Sequence, residues 1–253
     1  MQNIDPLFIL QPVIVIFIAS AVLLYWYSKR RFHLMVLIFS LVAYATAIAF
    51  KYALQSLPIN ITLSNTGLGL YYGLQTVVFE VGFAYLIAWY VVSRGLLERK
   101  DAEAYGAGLA FWENAALLGM LPLINIVAYY NILSTNTTLA QTLYDQLIKN
   151  APGYFASAPQ ALRTVAYGTL ERISSILFHS AWGYLCFAAA CLHKKRLFLV
   201  ALPMGFIDFL VPFEQNLGLP IFETIIFTLA VLCVLVAWYV TKQFRKNIDN
   251  KIS

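Results

Sequence analysis

Charge is scarce in this chain. Only 11% of its 253 residues are Asp, Glu, Lys or Arg, while 61% are hydrophobic. No polar stretch between the apolar runs is long enough for a soluble domain of ordinary size, so a polytopic membrane protein is the class that remains. The three cysteines, Cys186, Cys191 and Cys233, fall in apolar runs without CxxC spacing, which indicates neither a zinc site nor a disulfide framework. No basic segment precedes the first apolar run and no small-residue cleavage site comes before Ser28-Lys29-Arg30-Arg31, so that run reads as a retained helix. There is no internal repeat, no low-complexity tract and no HExxH. Gly106 and Gly108 do not form a GxxxG face, so they carry no dimer expectation.

The charge that is present is placed with regularity. A net charge of +5 would suit nucleic acid, but the basic residues cluster at the ends of apolar runs, which is the pattern of membrane orientation. Seven spans can be drawn, at 7–27, 34–55, 68–93, 104–128, 166–192, 197–213 and 219–241. Alternate connections hold Lys29, Arg30 and Arg31; Arg94, Arg99 and Lys100; Lys194, Lys195 and Arg196; and Lys242, Arg245 and Lys246. The positive-inside rule puts all four on the cytoplasmic side, with the N-terminus outside and the C-terminus inside. The expectation is an all-α, multi-pass helix bundle in the cell membrane, one integral domain over 1–253 with its core about 68–213. Two sequons, at Asn60 and Asn136, then fall outside. In the longest outer loop, 129–165, Leu139, Leu143 and Leu147 recur every four residues and predict a short amphipathic surface helix. Tyr71, Tyr72, Tyr129 and Tyr130 read as interfacial aromatics, and Thr241 to Ser253 as a polar tail.

Six ionisable residues remain deep in the runs: Glu80, Glu113, Glu171, Arg172, His179 and Asp208. A charged side chain costs ~2.5 kcal/mol or more at the bilayer centre, so each must face protein or a wet cavity. Glu171, Ser175 and His179 recur every four residues and form one polar stripe on a helix. Counting ~1.5 Å per residue from the outer ends places Glu80, Glu113 and His179 at roughly 18–21 Å and Glu171 and Asp208 at roughly 8 Å. Two carboxylates and an imidazole from three helices make an acid/base constellation. One carboxyl can hold a proton while the other accepts one from water, and His179 can donate to an oxyanion or orient that water. Such hydrolysis uses no Ser or Cys nucleophile, and neither a cofactor nor a metal is assigned to it. Plainer roles exist for the same residues. Glu171 and Arg172 can tie their helix to Asp208; as i,i+1 neighbours they point apart, and each is expected to find another partner. His179 can be an interhelical hydrogen-bonding residue, Glu113 beside Asn114 can reach a vestibule, and Glu80 can be a neutral carboxyl bonded to another helix.

Glu171-Arg172 followed by Phe178-His179 resembles the Glu-Arg…His helix of YhfC-type membrane proteins, relatives of the CAAX-protease and bacteriocin-processing group of glutamic intramembrane proteases. Phe79-Glu80…Tyr85 is similar to that group's paired-glutamate motif, Gly106-Ala107-Gly108…Glu113-Asn114 to its Gly-rich helix, and Asp208-Phe209 to the end of its His-x-x-x-Asp motif. The match covers about 75–213. Val81 stands where the second Glu is expected, Ala84 where an Arg is usual, and Met204 where a second His would lie. The resemblance implies a glutamic-type intramembrane endopeptidase, or a catalytically degenerate relative, with Glu80, Glu113 and His179 as catalytic residues. Glu171, Arg172, Ser175, Asp208 and Asn114 would support them. Its partners would be membrane lipids and a membrane-protein or peptide substrate, with no nucleic acid. Two other readings stand beside it: a non-enzymatic subunit or chaperone of a membrane complex, with partner subunits, and a metal- or proton-binding transporter.

Overall fold

The computed structural model describes residues 3–58, 63–135 and 137–249, which are helical with no strand among them. The sequons at Asn60 and Asn136 lie outside the described residues. Seven helices among those described are long and apolar enough to cross a membrane. In chain order they begin with α1 (Pro6–Arg30), α2 (Met35–Gln55), α3 (Asn65–Ser93) and α4 (Arg99–Thr135). The shorter α5 (Thr137–Asn150) follows, then α6 (Ala158–Cys191), α7 (Lys195–Leu217) and α8 (Leu219–Asp249). Large apolar side chains cover their outward faces, among them Phe17, Leu24, Tyr52, Trp89 and Trp238, as a lipid-facing surface requires. The protein is an integral, multi-pass membrane protein.

α6 is the hub. Its apolar window is 72% buried, against 17–33% for the other spans, and it packs against α1, α3, α4, α7 and α8. Two glycines permit its closest crossing. A Cβ on Gly106 of α4 would lie 2.4 Å from the Ser180 carbonyl oxygen, and one on Gly183 would lie 2.6 Å from Gly106 Cα. Backbone-to-backbone contact of this kind lets α4 and α6 approach as no larger residue would. The glycines therefore serve packing within the chain.

Helix ends carry local reasons. Ser157 and Gln160 form a capping box at the start of α6, with Pro159 in its first turn. Arg31 and His193, both left-handed, close α1 and α6 into tight turns. The α1–α2 turn is clamped to the start of α4, where fully buried Asp101 accepts the backbone N–H groups of His33 and Glu98 at 2.8 and 2.7 Å.

Four sequence expectations change. α4 runs on to Thr135 and α6 starts at Ala158, so the helices invade both ends of the stretch 129–165. Hydropathy senses only the strongly apolar part of a helix, and in 158–165 Gln160, Arg163 and Thr164 interrupt the apolar side chains. α5 forms where the leucine spacing placed it, and Leu143 and Leu147 pack on a cluster around Ile4, Phe8, Ile126 and Val165. Tyr129 belongs to that cluster with 1% exposure, so it is a packing residue and not an interfacial one. The segment after Thr241 stays helical to Asp249, because Lys, Gln and Arg sustain a helix and no Gly or Pro ends it.

Candidate active site

Three helices lose α geometry where they carry their acids. Thr76–Val81 in α3 and Trp112–Met120 in α4 are π-helical, and Phe206–Phe213 in α7 is a 3₁₀ segment with Pro212 inside it. Insertions of this type occur often at functional sites because they re-aim side chains that a regular helix would direct elsewhere. They deliver Glu80, Glu113 and Asp208 to the wall of one cavity of ≈ 270 Å³, which the polar stripe of α6 closes from the other side.

At its centre His179, 4% exposed, joins both glutamates. Its Nε2 lies 3.0 Å from Glu80 Oε2 and 2.6 Å from Glu113 Oε2. Only the first contact follows the ring N–H direction, so Glu113 Oε2 is left without a hydrogen-bond partner. The other ring nitrogen, Nδ1, lies 3.0 Å from the Ser175 carbonyl oxygen. A carbonyl only accepts, so Nδ1 carries a hydrogen, and this fixes the orientation of the ring. Nε2 and two carboxylate oxygens then converge, all three within 4.8 Å of one another. The two ionised carboxylates only accept, so the contacts require a proton on Nε2 or a cation among the three atoms.

The remaining oxygens are held from outside. Ser175 Oγ donates to Glu113 Oε1 at 3.2 Å and is itself approached by Asn114 Nδ2 at 3.1 Å. Arg172 Nη1 reaches the same Glu113 oxygen at 3.5 Å, while its Nη2 pairs with Glu171. The i,i+1 pair that helical direction argued against is therefore present, since two long side chains bend back toward each other at the cavity mouth. Asp208 does not pair with Arg172. It accepts from Thr76 Oγ1 and lies 3.3 Å from Lys51 Nζ. The two depth groups form a single network, because Lys51 also lies 2.5 Å from Glu80 Oε1 and links the deeper acid to the shallower one.

Lys51 is the residue that sequence reasoning missed. It was absent from the set of deep charges because it lies near the end of a span. One signal was available: it is a lone cation at the end of its helix opposite the basic connections. It also supplies the partner that Glu80 lacks on its own helix. Val81 and Ala84 are fully buried and Met204 is 5% exposed. The three departures from the family motif are thus ordinary core positions.

A bundle of membrane-crossing helices around a buried, hydrogen-bonded pair of carboxylates and an imidazole defines the class: a polytopic membrane protein with an ionisable centre among its spans. A family model described as YhfC intramembrane metalloprotease matches residues 14–216, and the chain belongs to that family. Its role is accordingly that of a membrane protease-like protein. No curated protein and no solved structure matches the chain.

Proposed function

We propose that the protein hydrolyses peptide bonds of membrane-embedded polypeptides, using a water held at Glu80, Glu113 and His179. The observation that carries this reading is the meeting of His179 Nε2 with one oxygen from each glutamate inside a cavity. The two glutamates are held unequally, which supports different roles. Glu80 spends one oxygen on Lys51 and the other on His179. Glu113 keeps one oxygen with no hydrogen bond, and that oxygen is the acceptor for a proton from water. The water oxygen bonds to the carbonyl carbon as its proton passes to Glu113. The C–N bond then breaks, and the departing amine takes that proton.

The family's description implies a metal, and the donors here suit one. Two carboxylates and an imidazole are a ligand set for several divalent ions, and the Nδ1–H bond to a backbone carbonyl turns Nε2 toward both carboxylates, where its lone pair would serve an ion that displaced the Nε2 proton. The unsatisfied Glu113 Oε2 is the atom that such an ion would complete. A divalent ion bound by Glu80, Glu113 and His179 would polarise the carbonyl and make the water more acidic. Without it, the carboxylates act on the water as general bases, as in a glutamic-type peptidase.

A single-span peptide of ~20 Leu and Ala residues, reconstituted with the protein in nanodiscs, tests the reading. Glu80→Gln and Glu113→Gln should each abolish cleavage, and cleavage that survives in the double variant refutes it. Metal analysis separates the two chemistries: about one equivalent of a divalent ion, lost in His179→Ala, supports the metal-assisted form. Full activity in protein stripped of metal supports the carboxylate-only form. The apolar packing of Val81, Ala84 and Met204 favours a second reading, a non-enzymatic subunit of a membrane complex. A stoichiometric co-purifying partner and no hydrolysis would support that instead.

A further inference from the structure

Hydrolysis needs a donor for the negative charge that develops on the carbonyl oxygen, and His179, the first candidate from sequence, is already engaged. Its Nε2 faces two carboxylates and its Nδ1 faces the Ser175 carbonyl. The other donors around the cavity divide sharply. Lys51 has three N–H bonds, and they meet Glu80, Thr76 and Asp208 at 2.5, 2.9 and 3.3 Å. Ser175 has a single O–H, directed to Glu113. The Trp182 indole nitrogen has no partner but is sealed from the cavity.

Two donors are left. Tyr44 of α2 lines the cavity, is 7% exposed, and places its ring edge-on to that of His179 with centroids 6.4 Å apart. Its hydroxyl makes no hydrogen bond among the described residues, although Glu80, Glu113 and Arg172 all lie within electrostatic reach. Arg172 also lines the cavity and has five N–H bonds, of which one points to Glu113 and one to Glu171. Unlike the Trp182 nitrogen, the Tyr44 hydroxyl is not one of the sealed atoms, so it opens to the cavity and can donate to a group bound there.

Resting on the hydrolase reading above, we propose that the Tyr44 hydroxyl, assisted by the Arg172 guanidinium, binds the oxyanion of the tetrahedral intermediate. Water attacks the carbonyl carbon from the Glu113 side and gives its proton to that carboxylate. The carbonyl π electrons move to the oxygen, where Tyr44 and Arg172 donate hydrogen bonds. They return as the C–N bond breaks and the amine is protonated. Tyr44 is thereby a catalytic residue that no motif in the sequence marks, and α2 contributes to the centre through both Tyr44 and Lys51.

Tyr44→Phe removes only the hydroxyl, and because that hydroxyl holds nothing in the chain the variant should fold as the wild type does. Cleavage of the nanodisc-embedded Leu/Ala peptide should lose about 10²–10³-fold in kcat, with KM changed less than about threefold. A phosphinate isostere of the cleaved bond, which carries the tetrahedral anion, should bind Tyr44→Phe weaker by a similar factor. The uncleaved peptide, held by Glu113→Gln with and without Tyr44→Phe, should bind equally. Arg172→Lys should show the same split more mildly. A Tyr44→Phe enzyme with kcat within about threefold of wild type overturns the assignment while leaving the hydrolase reading intact. Equal losses for peptide and phosphinate overturn it too, since they mark a simple binding contact. Wild-type protein that neither cleaves the peptide nor binds the phosphinate overturns the hydrolase reading and the oxyanion role together.

Discussion

Lys51→Met puts the ionic network to its sharpest test. Lys51 Nζ lies 2.5 Å from Glu80 Oε1, 3.3 Å from Asp208 Oδ2 and 2.9 Å from Thr76 Oγ1, with its side chain only 14% exposed. Methionine keeps much of the length of the stem and removes the charge, leaving two carboxylates from α3 and α7 with no cation between them. Breaking a buried pair from one side costs about 3–5 kcal/mol, because the remaining charge stays desolvated. At roughly 2–4 °C per kcal/mol for a chain of this size, the midpoint should fall by about 6–20 °C. Thermal unfolding in detergent, followed by intrinsic tryptophan fluorescence, measures it. The control is the triple variant Lys51→Met/Glu80→Gln/Asp208→Asn, which removes the stranded charges along with their partner. It should recover most of the loss, since replacing all members of a buried ionic group is far less costly than removing one. If Lys51→Met melts within about 2 °C of wild type, or the triple variant is no better than the single, Lys51 is not the keystone of this network. The reasoning from its three short contacts then fails.

Other consequences concern the frame around the centre. Gly106→Ala should destabilise by about 1–3 kcal/mol, because its Cβ would meet the Ser180 carbonyl oxygen at 2.4 Å and neither backbone can yield cheaply. Gly153→Ala, with nothing within 4 Å, should stay within about 0.5 kcal/mol of wild type; a thermal-shift comparison of the two is decisive if they come out alike. Asp101→Ala should cost about 1–2 kcal/mol by freeing the His33 and Glu98 N–H groups that it binds. Hydrogen exchange should then rise at residues 31–34 and 98–103, and unchanged protection there would contradict the clamp. Asn114→Ala should lower cleavage rate more than stability, because Asn114 steadies Ser175, which in turn orients Glu113. Equal loss of both would make it a packing residue.

The frame of this molecule was largely legible in its sequence. Apolar runs and basic clusters mark seven spans close to those observed, and counting residues along them brings Glu80, Glu113 and His179 to one level. That count succeeded because a transmembrane helix has almost fixed rise and must keep its acids away from lipid. The side-chain pairing was not legible. Glu171 and Arg172 join across a geometry that helical directions disfavour, since their length overrides the direction of their Cβ bonds. Lys51 and Tyr44 belong to a span whose sequence is otherwise unremarkably apolar, and only the crossing of α2 with α3 brings them to the centre. The non-α segments in α3, α4 and α7 left no mark that hydropathy detects.

Those segments have a mechanical meaning. A π turn is wider and more loosely wound than its α flanks, so a span containing one resembles a stiff rod with a compliant collar partway along. Glu80 and Glu113 are each mounted on such a collar. The wider winding turns each acid round the rod axis relative to where an unbroken α-helix would aim it. The spacing of the two acids is thus set locally, by how these two collars are wound, and not by where the ends of the spans are held.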